Sequence, residues 1–230
     1  FFDLVVHSTA RAREVNIVER GIAHCIGLGM DVQNTKGVMI ADFGGETTEI
    51  SVVASGGMVL NKLIKIGGNT FDNAVANLVR HNYDFLIGRL TAETLRRRFG
   101  VFGGESSETM VVAGRNLVTG VPKQQEIPIS LVRAAMKEPL SECIMQINLL
   151  LERTPPEVLK AIQKNGIFLT GGLSYLPGLS SYIEGATGYR VHTARHPDIC
   201  AVEGLSQIIR SKELRKHAYS MLDENYRWMR

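Results

Sequence analysis

Short apolar runs and helically spaced apolar positions alternate along most of the chain. Gly37-Val38-Met39-Ile40-Ala41-Asp42 is an apolar run closed by an acid, and it predicts a buried strand near 38–42. Residues 48–54 are rich in β-branched side chains and predict a second strand. Ser55-Gly56-Gly57 predicts a hairpin turn into a third strand over 58–66. The period then changes. Phe71, Ala74, Val75, Leu78 and Val79 fall on one face of a helix, which Thr70 or Asn69 caps. Residues 81–128 are polar and glycine-punctuated and read as a smaller inserted unit.

Leu140, Cys143, Ile144, Ile147, Leu150 and Leu151 predict a helix over 140–153, with Pro139 breaking or kinking its start. Pro155-Pro156-Glu157 restarts a helix that Asn165-Gly166 ends. Ile167-Phe168-Leu169-Thr170 predicts another buried strand, followed by Gly171-Gly172. A helix over 177–184, a short strand over 189–191 and a last helix over 202–217 complete the pattern. Strands alternating with helices predict an α/β fold with a partly parallel sheet.

Composition narrows the class. Apolar residues are 44% and charged residues 21% of 230, which are ordinary globular values. A chain this long buries roughly 70% of its unfolded surface and needs no covalent staples. The net charge is only +3 and the charges are interspersed, so no nucleic-acid partner is expected. Cys25, Cys143 and Cys200 are far apart and odd in number, which argues against a disulfide framework or metal site and for a reducing cytoplasm. No apolar run is long enough to span a membrane. The chain begins FFDLVVHSTARAREV, with no signal-peptide pattern and no initiating Met, and reads as a fragment.

Two glycine pairs, Gly44-Gly45 and Gly171-Gly172, fall at the carboxyl ends of predicted strands. Ligands of open α/β sheets bind at such ends, and glycine lets backbone N–H groups approach phosphate oxygens. An Asp at a strand end, here Asp42, can hold a hydrated divalent cation. The plainer reading of each pair is a tight turn.

Around the first pair, Asp42-Phe43-Gly44-Gly45-Glu46-Thr47-Thr48-Glu49-Ile50 resembles the phosphate-binding loop of the actin-like ATPase superfamily, in the form found in the bacterial MreB family. The likeness continues in order. It runs through Ile66-Gly67-Gly68-Asn69, Phe71-Asp72, Leu86-Ile87-Gly88 and Thr91-Ala92-Glu93. Further on come Gly114-Arg115-Asn116-Leu117-Val118-Thr119-Gly120-Val121-Pro122-Lys123 and Leu151-Glu152-Arg153-Thr154-Pro155-Pro156-Glu157. The strings LVTGxPK and LERTPPE separate the family from actin, sugar kinases and heat-shock chaperones. The resemblance implies an α/β, ribonuclease H-like, two-lobed fold, of which this chain holds mainly the second lobe. Residues 1–32 are then a remnant of the first lobe, 33–71 and 135–204 the core of the second, 72–134 its small subdomain, and 205–230 a return to the first. The family's first phosphate loop is expected to be missing.

Carried over by position, the resemblance makes Asp42 the metal-side acid for Mg2+, and Gly44, Gly45, Glu46 and Thr47 the γ-phosphate cradle of ATP. Glu93-Thr94-Leu95-Arg96 matches a Glu-x-x-Lys stretch near the adenosine, and Gly171-Gly172-Leu173-Ser174 matches the adenosine-phosphate loop. On composition alone, Glu93 and Arg96-Arg97-Arg98 read as a solvated helix face. Three positions depart from the family. Glu46 and Leu173 stand where glycine is usual. Arg20 stands where a Glu orients the attacking water, and it has no acceptor for that task. Glu19, its neighbour, is the remaining candidate for the role.

The function implied is that of an ATP-binding, filament-forming cytoskeletal protein that guides cell-wall growth. The alternative is a catalytically silent relative acting as a scaffold. Expected partners are copies of itself and membrane-associated cell-wall synthesis and shape proteins, in the cytoplasm or at the inner face of the membrane. The basic end, from Arg210 through Tyr226 and Trp228 to Arg230, reads either as a membrane contact or as a solvated tail.

Overall fold

The computed structural model describes residues 15–100 and 107–220. Helix α1 (Arg20–Gly27) precedes a meander of β1 (Val38–Phe43), β2 (Thr48–Ala54) and β3 (Gly57–Ile64). Helix α2 (Gly68–Tyr83), strand β4 (Phe85–Leu86), helix α3 (Arg89–Phe99) and the hairpin β5 (Thr109–Asn116) and β6 (Pro122–Pro128) follow. Helices α4 (Ile129–Arg153) and α5 (Pro156–Asn165) lead back to β7 (Ile167–Thr170). Helix α6 (Leu179–Thr187), strand β8 (Val191–Thr193) and helix α7 (Cys200–Arg210) complete the described elements, apart from 3-10 turns at Gly172–Tyr175 and Leu214–His217.

Two sheets form. The larger has the order β3-β2-β1-β7-β8; the smaller is β4-β5-β6. In the larger sheet β1 pairs antiparallel with β2 and parallel with β7. All six residues of β1 are buried, because both faces of the sheet are covered, and its sequence is accordingly continuous rather than alternating. Alternation survives in which cover each residue meets. Met39, Ala41 and Phe43 enter the main core with α2 and α4, whereas Val38 and Ile40 enter a second cluster with Ile22, Cys25 and Ile26 of α1 and Ile208 of α7. Asp42 therefore shares the α1 face.

Helix α1 is held in place by close approach to α7. A Cβ on Gly204 would stand 1.9 Å from the Ala23 carbonyl oxygen, and one on Gly27 would stand 2.0 Å from that of Cys200. Only glycine admits such proximity.

The turn between β2 and β3 is tighter than expected. Ser55 (φ 49°) and Gly56 (φ 90°) form it alone, and Gly57 already belongs to the strand. Strand β3 ends at Ile64 rather than residue 66. Helix α2 starts at Gly68, one residue past Gly67, and Thr70 acts in the reverse sense from a cap: its Oγ1 accepts the Gly67 N–H at 3.2 Å. Pro139 does not break α4, which begins eleven residues before the expected start at 140. Proline removes a single backbone bond there, while Val132, Met136, Leu140 and Cys143 stay buried on both sides of it.

Helix α6 and strand β8 begin two residues later than expected, after positive-φ glycines at 178 and 188. The last helix stops at Arg210 instead of 217. Ser211 turns extended, its hydroxyl accepts the Leu214 N–H at 3.4 Å, and only a 3-10 turn follows. Tyr226, Trp228 and Arg230 lie outside the described residues. No described helix is long and apolar enough to cross a membrane.

The three cysteines are free and buried. Burial pushes the Cys25 and Cys143 thiols up to about 12 and that of Cys200 to about 11. At mildly alkaline pH all three therefore stay protonated, and a thiol reagent is expected to label none in the folded protein and all after denaturation. Gly204→Val is expected to lower stability by roughly 1–3 kcal/mol in urea unfolding. Gly185→Ala, in α6 with open space around it, is expected to raise stability by roughly 0.5–1 kcal/mol.

Candidate functional site

Parallel pairing of β1 with β7 sets Asp42 beside Thr170, so both strands end at the same height. The two glycine pairs, far apart in sequence, thereby become neighbouring loops. Thr170 Oγ1 lies 3.5 Å from Asp42 Oδ1. Gly171 follows at φ 82°, and a Cβ there would fall 2.3 Å from the Phe43 carbonyl oxygen and 2.5 Å from Asp42 Oδ1. Both the backbone conformation and the space demand glycine. Gly172 faces open space, while Leu173 is buried in the core and Ser174 Oγ donates to the Thr170 carbonyl at 2.6 Å.

Loop 44–47 is closed by the Gly44 N–H donating to Thr47 O at 2.9 Å. The N-terminus of α2 docks on it, with Gly68 N–H donating to Gly44 O (3.0 Å) and Asn69 N–H to Gly45 O (2.7 Å). These bonds satisfy helix donors that would otherwise be orphaned. Gly67 makes the approach possible, since a Cβ there would lie 2.7 Å from Glu46 N. Gly45 and Glu46 stay exposed, and their own N–H groups take no part in these bonds. The loop thus offers backbone donors, with the Glu46 carboxylate beside them.

Asp42 faces Glu49 directly across the β1–β2 pair, and both are buried. Like charges opposed on one sheet face repel. Glu49 Oε1 accepts from Asn61 Nδ2 at 2.9 Å and Ser51 Oγ at 3.4 Å. The counter-charge comes from α1. Arg20 Nη1 is 3.4 Å from Asp42 Oδ2, and Arg20 Nε is 3.4 Å from Glu49 Oε2. One turn on, His24 Nε2 is 3.3 Å from the same Asp42 oxygen. That contact is within ion-pair distance but outside hydrogen-bond geometry, so both ring nitrogens of buried His24 lack a described hydrogen-bond partner.

The stretch 93–96 divides. Arg96 is buried, and its guanidinium forks onto Asp72, with Nε–Oδ1 at 2.6 Å and Nη2–Oδ2 at 3.4 Å. The expected solvated face therefore holds for Arg97 and Arg98 but not for Arg96, which turns inward to a carboxylate. Glu93 Oε1 sits 3.9 Å from Arg96 and 3.7 Å from Arg97. Arg96 also reaches the loop region: its Nη2 lies 3.5 Å from where a Gly68 Cβ would stand, and Gly45 Cα lies 3.8 Å from the same point. Leu95 is in the core, and Thr94 is exposed with its hydroxyl on Leu90 O. Glu19 is the exposed N-cap residue of α1, its carbonyl accepting from Ala23.

The structure thus gathers Asp42, loop 44–47 and loop 171–174 at one sheet end, sets 93–96 behind the Gly67-Gly68 turn, and places Glu19 at the edge. Sequence reasoning gave no role to His24, Glu49, Asp72 or Thr170. His24 was findable from its i,i+4 spacing to Arg20, and Thr170 from the paired strand ends. A groove of about 1100 Å³ lies elsewhere, between α2 and α4, lined by Asn73, Asn77, His81, Lys137 and Glu138 among others. We place the site at the strand ends because the open backbone donors and the glycine-only approaches converge there.

For a nucleotide phosphate the loops fit, since Gly45, Glu46 and Gly172 leave open backbone where oxygens could approach. For Mg2+ on Asp42 the fit fails as the side chains stand. Oδ2 faces Arg20 and His24 and Oδ1 faces Thr170, so neither carboxylate oxygen is left open to an ion.

Three antiparallel strands continued by two parallel ones, with a site at the parallel strand ends, define a protein of the actin-like fold. The solved structure of MreB5 from Spiroplasma citri bound to AMPPNP superposes with a TM-score of 0.80 at 29% identity, covering 86% of this chain and 59% of that one. The ADP-bound form gives 0.84 at 27%, covering 91% and 64%. The cell shape-determining protein MreB of Escherichia coli K12 is 37% identical over 196 residues, 85% of this chain and 56% of its own length. A family model described as MreB/Mbl protein matches residues 5–217. The chain belongs to the MreB/Mbl family, and it spans somewhat more than half the length of the relatives it matches.

The Asp72–Arg96 pair yields a stability test. Arg96→Ala leaves a buried carboxylate uncompensated and is expected to cost roughly 3–5 kcal/mol in urea unfolding, whereas the double change Asp72→Leu with Arg96→Met recovers most of that loss.

Proposed function

We propose that this chain is the nucleotide-binding portion of an MreB-type cytoskeletal protein. The observation that carries the reading is the convergence of loops 44–47 and 171–174 beside Asp42 at the carboxyl ends of β1 and β7. ATP is the nucleotide, with its terminal phosphate on loop 44–47 and its adenosine side toward 171–174 and Glu93. The MreB5 structures with AMPPNP and ADP support this assignment. The site serves self-association into filaments in the cytoplasm, where the protein works with membrane-associated cell-wall synthesis and shape proteins. Residues 33–71 and 135–204 form the second-lobe core, and 72–134 its small subdomain.

A second reading, a member that binds without useful turnover, is favoured by Arg20. It lies beside Asp42 at the strand ends, and a guanidinium cannot accept a proton from an attacking water. Phosphate release is then expected to stay at background. Turnover that disappears with Glu19→Ala would overturn this reading.

Titration with a fluorescent ATP analogue tests the binding site. Gly172→Val is expected to abolish saturable binding without changing the unfolding midpoint, since its Cβ meets nothing in the free protein. Glu46→Gly is expected to strengthen binding roughly fourfold, the value for a carboxylate about 5 Å from a phosphate charge with water screening. An unchanged Gly172→Val titration would place the nucleotide elsewhere.

A further inference from the structure

Two buried carboxylates face each other across a strand pair, and what lies between them is an arginine. We propose that Arg20 is a resident cation of this site, holding the position at Asp42 that a divalent metal would otherwise take. Phosphate at loop 44–47 is consequently met by a guanidinium, and its binding needs no divalent ion. This last part rests on the nucleotide reading above.

The geometry supports the assignment in three ways. First, Asp42 and Glu49 are opposed in register on one face, and Arg20 spans them with different nitrogens, each at 3.4 Å. A planar guanidinium is suited to serve two carboxylates at once, which an ammonium point charge is not. Second, Arg20 is the first residue of α1, and no acidic residue follows it in that turn, the neighbouring Glu19 being the exposed N-cap residue. A cation at a helix N-terminus opposes the helix dipole, so the local structure of α1 disfavours it. The carboxylates opposite account for its position. Third, His24 is buried with neither ring nitrogen in a described hydrogen bond, and its Nε2 lies 3.3 Å from Asp42 Oδ2. That oxygen, the one not facing Thr170, is therefore approached by two nitrogen groups where an ion would otherwise sit. The Arg20 side chain nonetheless remains 47% exposed, which leaves its other N–H groups able to reach an anion.

The test uses the whole chain, with folding of each variant checked by circular dichroism. Mn2+ is titrated without nucleotide and followed by electron paramagnetic resonance. Wild type is expected to show no Mn2+ site that depends on Asp42. Arg20→Ala is expected to gain one, and the double variant Arg20→Ala with Asp42→Asn to lose it. Mn2+ bound by wild type and lost in Asp42→Asn overturns the proposal. So does the absence of a gained site in a folded Arg20→Ala, because Asp42 would then lack ligands rather than be held by Arg20.

In the second arm, the fluorescent ATP analogue is titrated with Mg2+ and with EDTA. The dissociation constants are expected to agree within about twofold, and a loss of about tenfold or more in EDTA overturns metal-independent binding. If the analogue binds in neither buffer, the nucleotide reading fails and metal-independent binding falls with it, while the Mn2+ arm still decides the role of Arg20.

Discussion

Strand β1 lies parallel to β7 along one edge and antiparallel to β2 along the other, and the candidate site follows from that double pairing. The parallel edge brings two glycine loops to one height. The antiparallel edge brings two acids into opposition. The first arrangement supplies open backbone at a sheet end, where ligands of α/β proteins bind. The second supplies a concentrated negative charge next to it. Neither is a property of any short segment; both exist only once the sheet is assembled, with a cover on each face.

The molecule handles its buried charges in two different ways. Asp72 and Arg96 form a closed pair, desolvated together and satisfied mainly by each other. Such a pair specifies geometry more than it stabilises, and here it fixes α3 against α2 behind the Gly67-Gly68 turn. Asp42 and Glu49 share a cation that is still half in water. An arrangement of that kind can exchange solvent for a ligand oxygen without unfolding anything. The contrast separates a structural ion pair from one placed where binding can use it.

Much of this was readable from the sequence. The apolar runs at 38–42 and 167–170 marked central strands because strands buried on both faces lose their alternation. The glycine pairs marked loops at strand ends because turns and close approaches need them. What escaped was non-local. Nothing near Glu49 announces that it faces Asp42, since that depends on register across a hairpin. Arg96 sits in a run of three arginines that reads as solvent-facing, and its burial follows only from the carboxylate on a different helix. Pro139 looked like a helix start because local propensity weighs one lost backbone bond, whereas the buried residues of α4 on either side keep the helix continuous. Helix ends at Arg210 and Gly178 were set by individual backbone turns, which periodicity cannot locate.

The clasp of α1 by α7 at Gly27 and Gly204 has a consequence for how the protein is made. The end of one helix and the start of the other, Gly27 and Cys200, are 173 positions apart. At a synthesis rate of about 5–20 residues per second, α1 leaves the ribosome roughly 10–35 s before its partner exists. Throughout that interval Val38, Ile40 and Val53 lack the part of their cluster that Ile208 supplies. The meander can form early, because its contacts are local. The face that carries Asp42 is finished last, when α7 and the segment behind it arrive. Completion of the candidate site's α1 face is in this way tied to synthesis through residue 218, and a nascent chain stalled short of α7 leaves part of that apolar sheet face uncovered.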